Sequence, residues 1–446
     1  MAKVQAPSGF RDFAPDQHRK RLELIERIRR VYESFGFQGM ETPAAENLGV
    51  LLGKAGGENE KLMFRVLKRG AELQRALEKQ DELADLGLRF DLTLPLARFY
   101  ATHRGTLPAV FKRYQIGPTW RAERPQAGRY REFIQCDVDI LGSSSALAEA
   151  DVILATTTAL AELGFRGLCV RLNSRPLLAR LALKTGAPEP AVGGVFISLD
   201  KLDKAAPQEV EAEMAARGAP QAAARALLEL HAATAPLDSH ARLALVEERV
   251  GPDGAPLVAR VREIMNLTPP LPGGRLVFEP FLARGMDYYT GPIFEINAEG
   301  AQFALAGGGR YDDLVGAFCG QPVPAVGFSI GFERVFALMD ERAMFGAPVA
   351  ATDALLAVPD DSVAAEALKL AGELRAAGLK VDFFPGAGKL PQQFELAEKK
   401  GLRWAVIADS AALAAGNLNV RDLSARRNTP VPRNEVAAWL KARLAK

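Results

Sequence analysis

From Asp16 to Phe35, apolar side chains recur at steps of three and four: Leu24, Ile25, Ile28, Val31, Tyr32 and Phe35. That period predicts an amphipathic helix, opened by Pro15 and Asp16 and stopped at Gly36. FQGMETPA follows as a short predicted strand running into Pro43, which suits a sheet edge or a strand end. Residues 88–142 hold two or three strand candidates around a helical stretch, LTLPLARFYATH. From about 175 to 267 the texture becomes helical and rich in Ala, Leu and Glu, broken by GAPEP, RGAP and GPDGAP, as expected of an inserted helical module. Its ISLDKLDK stretch is expected to be a surface turn before a helix. Strand texture returns over 275–339, where AGGGRYDDLVGAF is expected to be a glycine-rich turn entering a helix. Small residues at 346–352 form a linker. Beyond it DALLAV, LKVDFF and RWAVIA alternate with helical spans, which predicts a small domain with a largely parallel or mixed sheet.

At 446 residues the chain is long enough for two or three domains. The 56 Lys and Arg nearly balance 54 Asp and Glu, so bulk charge names no partner, and nucleic acid would have to be met by local patches. The three cysteines, Cys136, Cys169 and Cys319, are odd in number and widely spaced, which excludes a disulfide framework or zinc ribbon and suits a reducing compartment. The N-terminal MAKVQAPSGFRDFAP has no apolar core of signal-peptide length, and no run approaches the roughly 18 apolar residues of a membrane span. A cytoplasmic protein is expected, with no membrane partner.

Two phosphate-loop lookalikes drop out. PGAGKL has Phe383 at the first glycine position of the motif and Leu390 where Ser or Thr would meet magnesium, and GGGRYD lacks dinucleotide spacing. The arginine cluster WRAERPQAGRYREFIQCDVDILG is more telling. A solvated basic loop is its plain reading. Yet with a hairpin loop at Pro-Gln-Ala-Gly, a period of two places Arg129, Arg131, Phe133, Gln135, Asp137 and Asp139 on one strand face. Guanidinium forks suit phosphate oxygens and a ring suits a base, so this face is a candidate nucleotide site beside a small polar ligand. RGMDYYTGPIFEI adds Arg284, Asp287, Tyr288 and Tyr289 ahead of an alternating strand pattern; a structural ion pair with core tyrosines is its plain reading. FSIGFERV places Arg334 at a strand-to-helix transition.

These stretches together resemble the class II aminoacyl-tRNA synthetases, and within them the histidyl-tRNA synthetase family, over nearly the whole length. PSGFRDFAP, the first helix and ETPA resemble the family's opening and its dimer-forming first motif. FKRYQIGPTWRAERPQAGRYREFIQ resembles the second motif, RGMDYYT and AGGGRYD the two histidine-specific stretches, and PAVGFSIGFERV the third motif. The resemblance implies an α+β fold: an antiparallel sheet flanked by helices, with an inserted helical domain and a C-terminal α/β anticodon-binding domain. Expected boundaries are 1–174 and 268–345 for the two parts of the catalytic core, 175–267 for the insert and 353–446 for the last domain.

The implied activity uses L-histidine, ATP with Mg2+ and tRNA(His), in a homodimer. Arg121 and Arg284 would be catalytic, at the α-phosphate and the amino-acid carboxylate. Arg129 and Arg334 would grip the outer phosphates, and Phe133 and Arg334 would sandwich adenine. Asp91 and Thr93 would receive the ammonium, Asp139 and Tyr289 would address the imidazole, and Gln135 and Tyr288 would close the pocket. No metal ligands are expected from the protein. The sequence departs from the pattern of many bacterial members at RFDLT and at Asp139, where glutamates are usual, and each shorter acid moves its oxygens by about one methylene. Residues 65–85 are expected to be a solvated helix rather than a tRNA-contacting insertion. The rival from another class is a histidine-binding regulatory paralogue resembling the ATP phosphoribosyltransferase regulatory subunit.

Overall fold

The computed structural model describes residues 4–53, 58–125, 129–202, 204–283, 288–346, 352–359, 361–385 and 388–444. The chain divides into two compact units, 1–345 and 346–446. The first is built on an eight-stranded sheet: β1 Gln38–Gly39, β2 Phe111–Trp120, β3 Glu132–Leu141, β4 Leu168–Ser174, β5 Gly274–Phe278, β6 Pro292–Asn297, β7 Ala306–Arg310 and β8 Ala325–Gly331. Across the sheet the order is β1-β2-β3-β8-β7-β6-β4-β5. All pairings are antiparallel except the outermost at each edge, β1 with β2 and β4 with β5.

Alternation gives this sheet two different faces. Cys136, Val138 and Ile140 of β3 and Val326, Phe328 and Ile330 of β8 point into the main core. There they meet Leu24, Ile28, Val31 and Tyr32 of the first helix, Pro15–Ser34, and Val152, Ile153, Ala155 and Ala159 of the helix Ala146–Glu162. The first helix thus buries the stripe its periodicity predicts, and Gly36 at φ +79 turns the chain out of it. The opposite face of the same strands is polar, and it carries the candidate site.

Parallel strands need a long crossover, and β4 reaches β5 through the helical insert. Its helices run Arg175–Lys184, Val192–Leu199, Pro207–Ala216, Gln221–Thr234, Ser239–Val250 and Ala255–Leu267. The breaks fall where glycine supplies left-handed backbone, at Gly186, Gly218 and Gly251. The helix Val192–Leu199 takes up the start of ISLDKLDK, so that stretch is a helix end as well as a turn.

Three expectations are corrected. Residues 65–85 are not a single helix: Arg65–Leu67 and the start of Ala84–Leu88 are strands around the helix Gly70–Lys79, and Ala84–Leu88 pairs on one side with Arg65–Leu67 and on the other with Ala45–Asn47. AGGGR is not a turn but the interior strand β7, where missing side chains let neighbouring groups come close. The strand β3 begins only at Glu132, so Arg129 and Arg131 precede it. The loop residues 126–128 lie outside the described residues, as do 347–351 of the linker.

The second unit has a five-stranded sheet in the order Val381–Phe383, Ala354–Ala357, Trp404–Ile407, Asn417–Asp422, Arg427–Pro432. Its first two pairings are parallel and the last two antiparallel, a mixed sheet. Its own core includes Leu356, Leu370, Leu374, Val406 and Val436. Among the described residues no helix is long and apolar enough to cross a membrane.

Candidate active site

The polar face of β3 carries Phe133, Gln135, Asp137 and Asp139, and the register sets what stands beside each. On β2 their partners are Thr119, Gly117, Gln115 and Arg113; on β8, Gly331, Ser329 and Gly327 stand opposite Gln135, Asp137 and Asp139. The glycines make room. A Cβ on Gly327 would lie 1.9 Å from Asp139 Oδ1, and one on Gly309 of β7 would lie 3.0 Å from the Tyr289 ring.

Over this floor come residues from three other segments. Asp91 lies just before the helix Thr93–His103, where its Oδ1 accepts the Leu94 N–H at 3.1 Å. Tyr288 donates to Thr93 Oγ1 at 3.4 Å and meets Tyr289 and Tyr311 edge-on, with ring centroids 5.0 and 6.0 Å away. The two tyrosines precede β6 rather than lying on it. Arg121, just past β2, donates from Nε to the Phe90 carbonyl at 3.1 Å, with its guanidinium 5.0 Å from the Phe133 ring centre. Asp91, Thr93, Arg121, Phe133, Gln135, Asp139, Tyr288 and Tyr289 are therefore assembled around one face.

The remaining predicted residues are carried by other segments or lie outside the described residues. Arg334, in the first turn of the helix Phe332–Glu341, donates to the Ala304 carbonyl at 3.1 Å, with its guanidinium 5.5 Å from the Phe303 ring centre. Arg129 is exposed in the loop ahead of β3. Arg284 and Asp287 lie outside the described residues.

Three groups in the cluster were given no ligand role from sequence, although Asp137 was placed on this face. Arg113 is fully buried, with Nη2 2.7 Å from Asp139 Oδ2. Tyr311, from GGGRYD, donates its hydroxyl to Asp139 Oδ1. Asp137, on the same face, is 3% exposed. The alternation of KRYQIGPT already places Arg113, Gln115, Gly117 and Thr119 on one face; the signal missing from sequence was which strand pairs with it.

Burial dominates the electrostatics. It raises the Asp91 carboxyl above its ordinary value, against the pull of the Leu94 amide and Arg121. Burial likewise pushes Asp137 up to about 7, with Arg113 drawing it down and Asp139 adding to the rise. Tyr288, Tyr289 and Tyr311 are raised by burial too, so all three remain hydroxyl donors. Buried Asp91 Oδ2, Gln135 Oε1 and Asp137 Oδ1 have no hydrogen-bond partner within the described residues, and Asp139 Oδ2 has only its ion pair with Arg113. Three open acceptors beside Arg121 suit a ligand that brings several N–H donors and an anionic group.

A family model described as histidyl-tRNA synthetase matches residues 9–335. The chain belongs to the histidyl-tRNA synthetase family. A second model, described as an anticodon binding domain, matches residues 346–443 and so covers the second unit of this family member. Among curated relatives, a histidine–tRNA ligase of Leifsonia xyli is 42% identical over 418 residues, covering 91% of this chain and 96% of that one. One of Phocaeicola vulgatus is 34% identical, covering 99% and 100%. The crystal structure of histidyl-tRNA synthetase from Nostoc sp. PCC 7120 superposes with a TM-score of 0.80 at 27% identity, covering 99% of this chain and 100% of that one. The class II layout is thereby the fold of this chain: a mainly antiparallel sheet with flanking helices, a helical insert and a C-terminal anticodon-binding domain.

Proposed function

We propose that the chain is a histidine–tRNA ligase that first activates L-histidine with ATP and then charges tRNA(His). In the first step a carboxylate oxygen of histidine attacks the α-phosphorus of ATP; the bond to the β-phosphate oxygen breaks and pyrophosphate leaves. In the second, a hydroxyl of the tRNA's terminal ribose attacks the histidyl carbonyl, and AMP leaves. Magnesium arrives with ATP as part of the substrate. The observation that carries the reading is the set of three open, buried acceptors beside Arg121.

Each predicted residue then has a task. Asp91 and Thr93 take the ammonium, and Gln135 and Tyr288 close over it. Asp139 and Tyr289 meet the imidazole. Arg121 and Arg284 hold the carboxylate and the α-phosphate, where preorganised positive charge lowers the barrier. Arg129 and Arg334 engage the outer phosphates, and Phe133 with Arg334 encloses adenine, since a ring face and a guanidinium plane both stack on a base. Little general-base chemistry is needed, because positioning and charge carry such transfers.

The ligase works as a homodimer in the reducing cytoplasm, the assembly and compartment that the family resemblance and three unpaired cysteines favour. Histidine-dependent exchange of pyrophosphate into ATP tests the reading. The wild type should exchange with histidine alone among the amino acids, and Arg284→Ala should abolish it. Histidine binding without exchange would instead favour the regulatory-paralogue reading.

A further inference from the structure

Arg89 is 5% exposed, yet among the described residues its guanidinium hydrogen-bonds to no carboxylate. Nη1 donates to the carbonyls of Thr42 and Pro43, the latter at 3.4 Å, and to Thr42 Oγ1 at 3.3 Å. Nε donates to the Pro118 carbonyl at 2.9 Å. Hydrogen bonds from a charged donor are the strong kind, and a planar fork fixes their directions, so these carbonyls are held in one set geometry. The main chain of the same residue repeats the pattern: its N–H donates to the Ala44 carbonyl at 2.9 Å, and its carbonyl accepts the Trp120 N–H at 3.0 Å. Side chain and backbone alike therefore stitch the segment 42–44 to the end of β2. Gly117 of β2 leaves the room, since a Cβ there would lie 3.1 Å from Arg89 Nη2.

What this staple holds is the next residue. The Phe90 carbonyl accepts Arg121 Nε at 3.1 Å, the one hydrogen bond that guanidinium makes among the described residues, while the Arg121 N–H is tied to the Arg131 carbonyl at 2.8 Å. With Nε committed, the two Nη ends of Arg121 are left to meet anionic oxygens. We propose that Arg89 is a positioning residue for the activation step: by fixing the Phe90 carbonyl between the segment 42–44 and β2, it aims the Arg121 guanidinium at the α-phosphate and the amino-acid carboxylate. Asp91, the residue after Phe90, has an anchor of its own in the Leu94 N–H at 3.1 Å, so ammonium binding does not depend on the staple in the same way. This assignment rests on the ligase reading above.

The test compares wild type with Arg89→Met and Arg89→Lys in pyrophosphate exchange, with thermal midpoints confirming folding. Methionine keeps much of the bulk and removes every donor; lysine keeps the charge and loses the fork. Exchange kcat should fall on the order of tenfold to a hundredfold for Arg89→Met and less for Arg89→Lys, since a misplacement of about an ångström is worth that much. Histidine and ATP KM should stay near wild type, the pattern of an interaction realised only in the transition state. A second arm uses Arg121→Lys, which deletes the Nε donor to the Phe90 carbonyl and keeps a cation. In that background Arg89→Met should lower kcat little further, because the path through Phe90 is already cut. Where Arg89→Met does not fold, the same cycle is read with Arg89→Lys. Equal losses of kcat in both backgrounds, or raised KM values with kcat kept, would overturn the assignment. Intact wild-type exchange with Arg89 variants indistinguishable from it overturns this inference alone, whereas wild type without histidine-dependent exchange overturns the ligase reading and this assignment with it.

Discussion

At the residue scale the site runs on buried polar groups whose costs are met by a ligand, and that has a measurable signature without one. Asp137 has a folded-state value of about 7 against an ordinary 3.8, raised by burial. Its folded form therefore holds a proton through a range in which the unfolded chain has lost it. Ligand-free stability should fall as pH rises from about 4 to 7 and level off above that. Asp137→Asn removes this dependence, so the variant should gain on wild type with rising pH, with a ceiling of roughly 4 kcal/mol. Urea unfolding at pH 5 and pH 8 measures it; equal offsets at both would contradict the burial argument. Gly327→Ala tests the geometry of the same floor, because its methyl would stand 1.9 Å from Asp139 Oδ1. Overpacking there should cost about 1–3 kcal/mol and raise histidine KM. The β3 face was legible in sequence because a period of two survives any context. Arg113 and Tyr311 were not, because their meeting with Asp139 depends on β2 and β7 being folded onto that strand's neighbourhood.

At the scale of elements, one joint ties the first helix to the helix Phe332–Glu341. Arg21 binds Glu333 through two hydrogen bonds of 2.8 Å, both side chains are nearly buried, and Arg11 adds a third contact at 2.5 Å. Glu333 also accepts the Ile134 N–H at 3.4 Å, so the joint touches β3 next to Phe133. Burial by itself would raise the Glu333 carboxyl, but the Arg21 and Arg11 hydrogen bonds outweigh it and hold the group below its ordinary value. Its contribution is therefore present above about pH 4.5 and lost as pH falls through the lower folded value. Arg21→Met breaks a buried pair from one side and should cost about 3–5 kcal/mol, with acid unfolding starting at higher pH; a loss within experimental error would show the pair to be dispensable. The first helix was legible because its stripe and its stop signals agree. The glycine strand β7 was not, since three consecutive glycines read as a turn when neighbouring strands are out of view. The 65–85 stretch misled for a related reason: Arg65–Leu67 is too short to show a period, and only pairing with Ala84–Leu88 makes it a strand.

At the scale of the whole molecule, the division at Gly346 separates two units with independent cores, which is the physical condition for either to fold alone. The candidate pocket draws every described residue from the first unit. The second carries a mild surplus of charge, 14 Lys and Arg against 11 Asp and Glu from Asp353 onward. Part of it is well placed for phosphates: Arg426 and Arg427 are exposed at the turn between its last two strands, and the Arg403 side chain is 60% exposed beside Trp404. If this unit binds the anticodon end of tRNA, ending the chain at Gly346 should leave histidine-dependent exchange within a few-fold of wild type. The same truncation should lower kcat/KM for charging tRNA by on the order of a hundredfold or more and flatten the salt dependence of tRNA binding, because phosphate contacts set that slope. Replacing Arg403, Arg426 and Arg427 with alanine in the full chain should weaken charging in the same direction without touching exchange. Charging that survives truncation would remove the second unit from tRNA recognition. Loss of exchange together with charging would show instead that the first unit depends on the second for its fold, and thermal unfolding of the truncated chain separates those two outcomes.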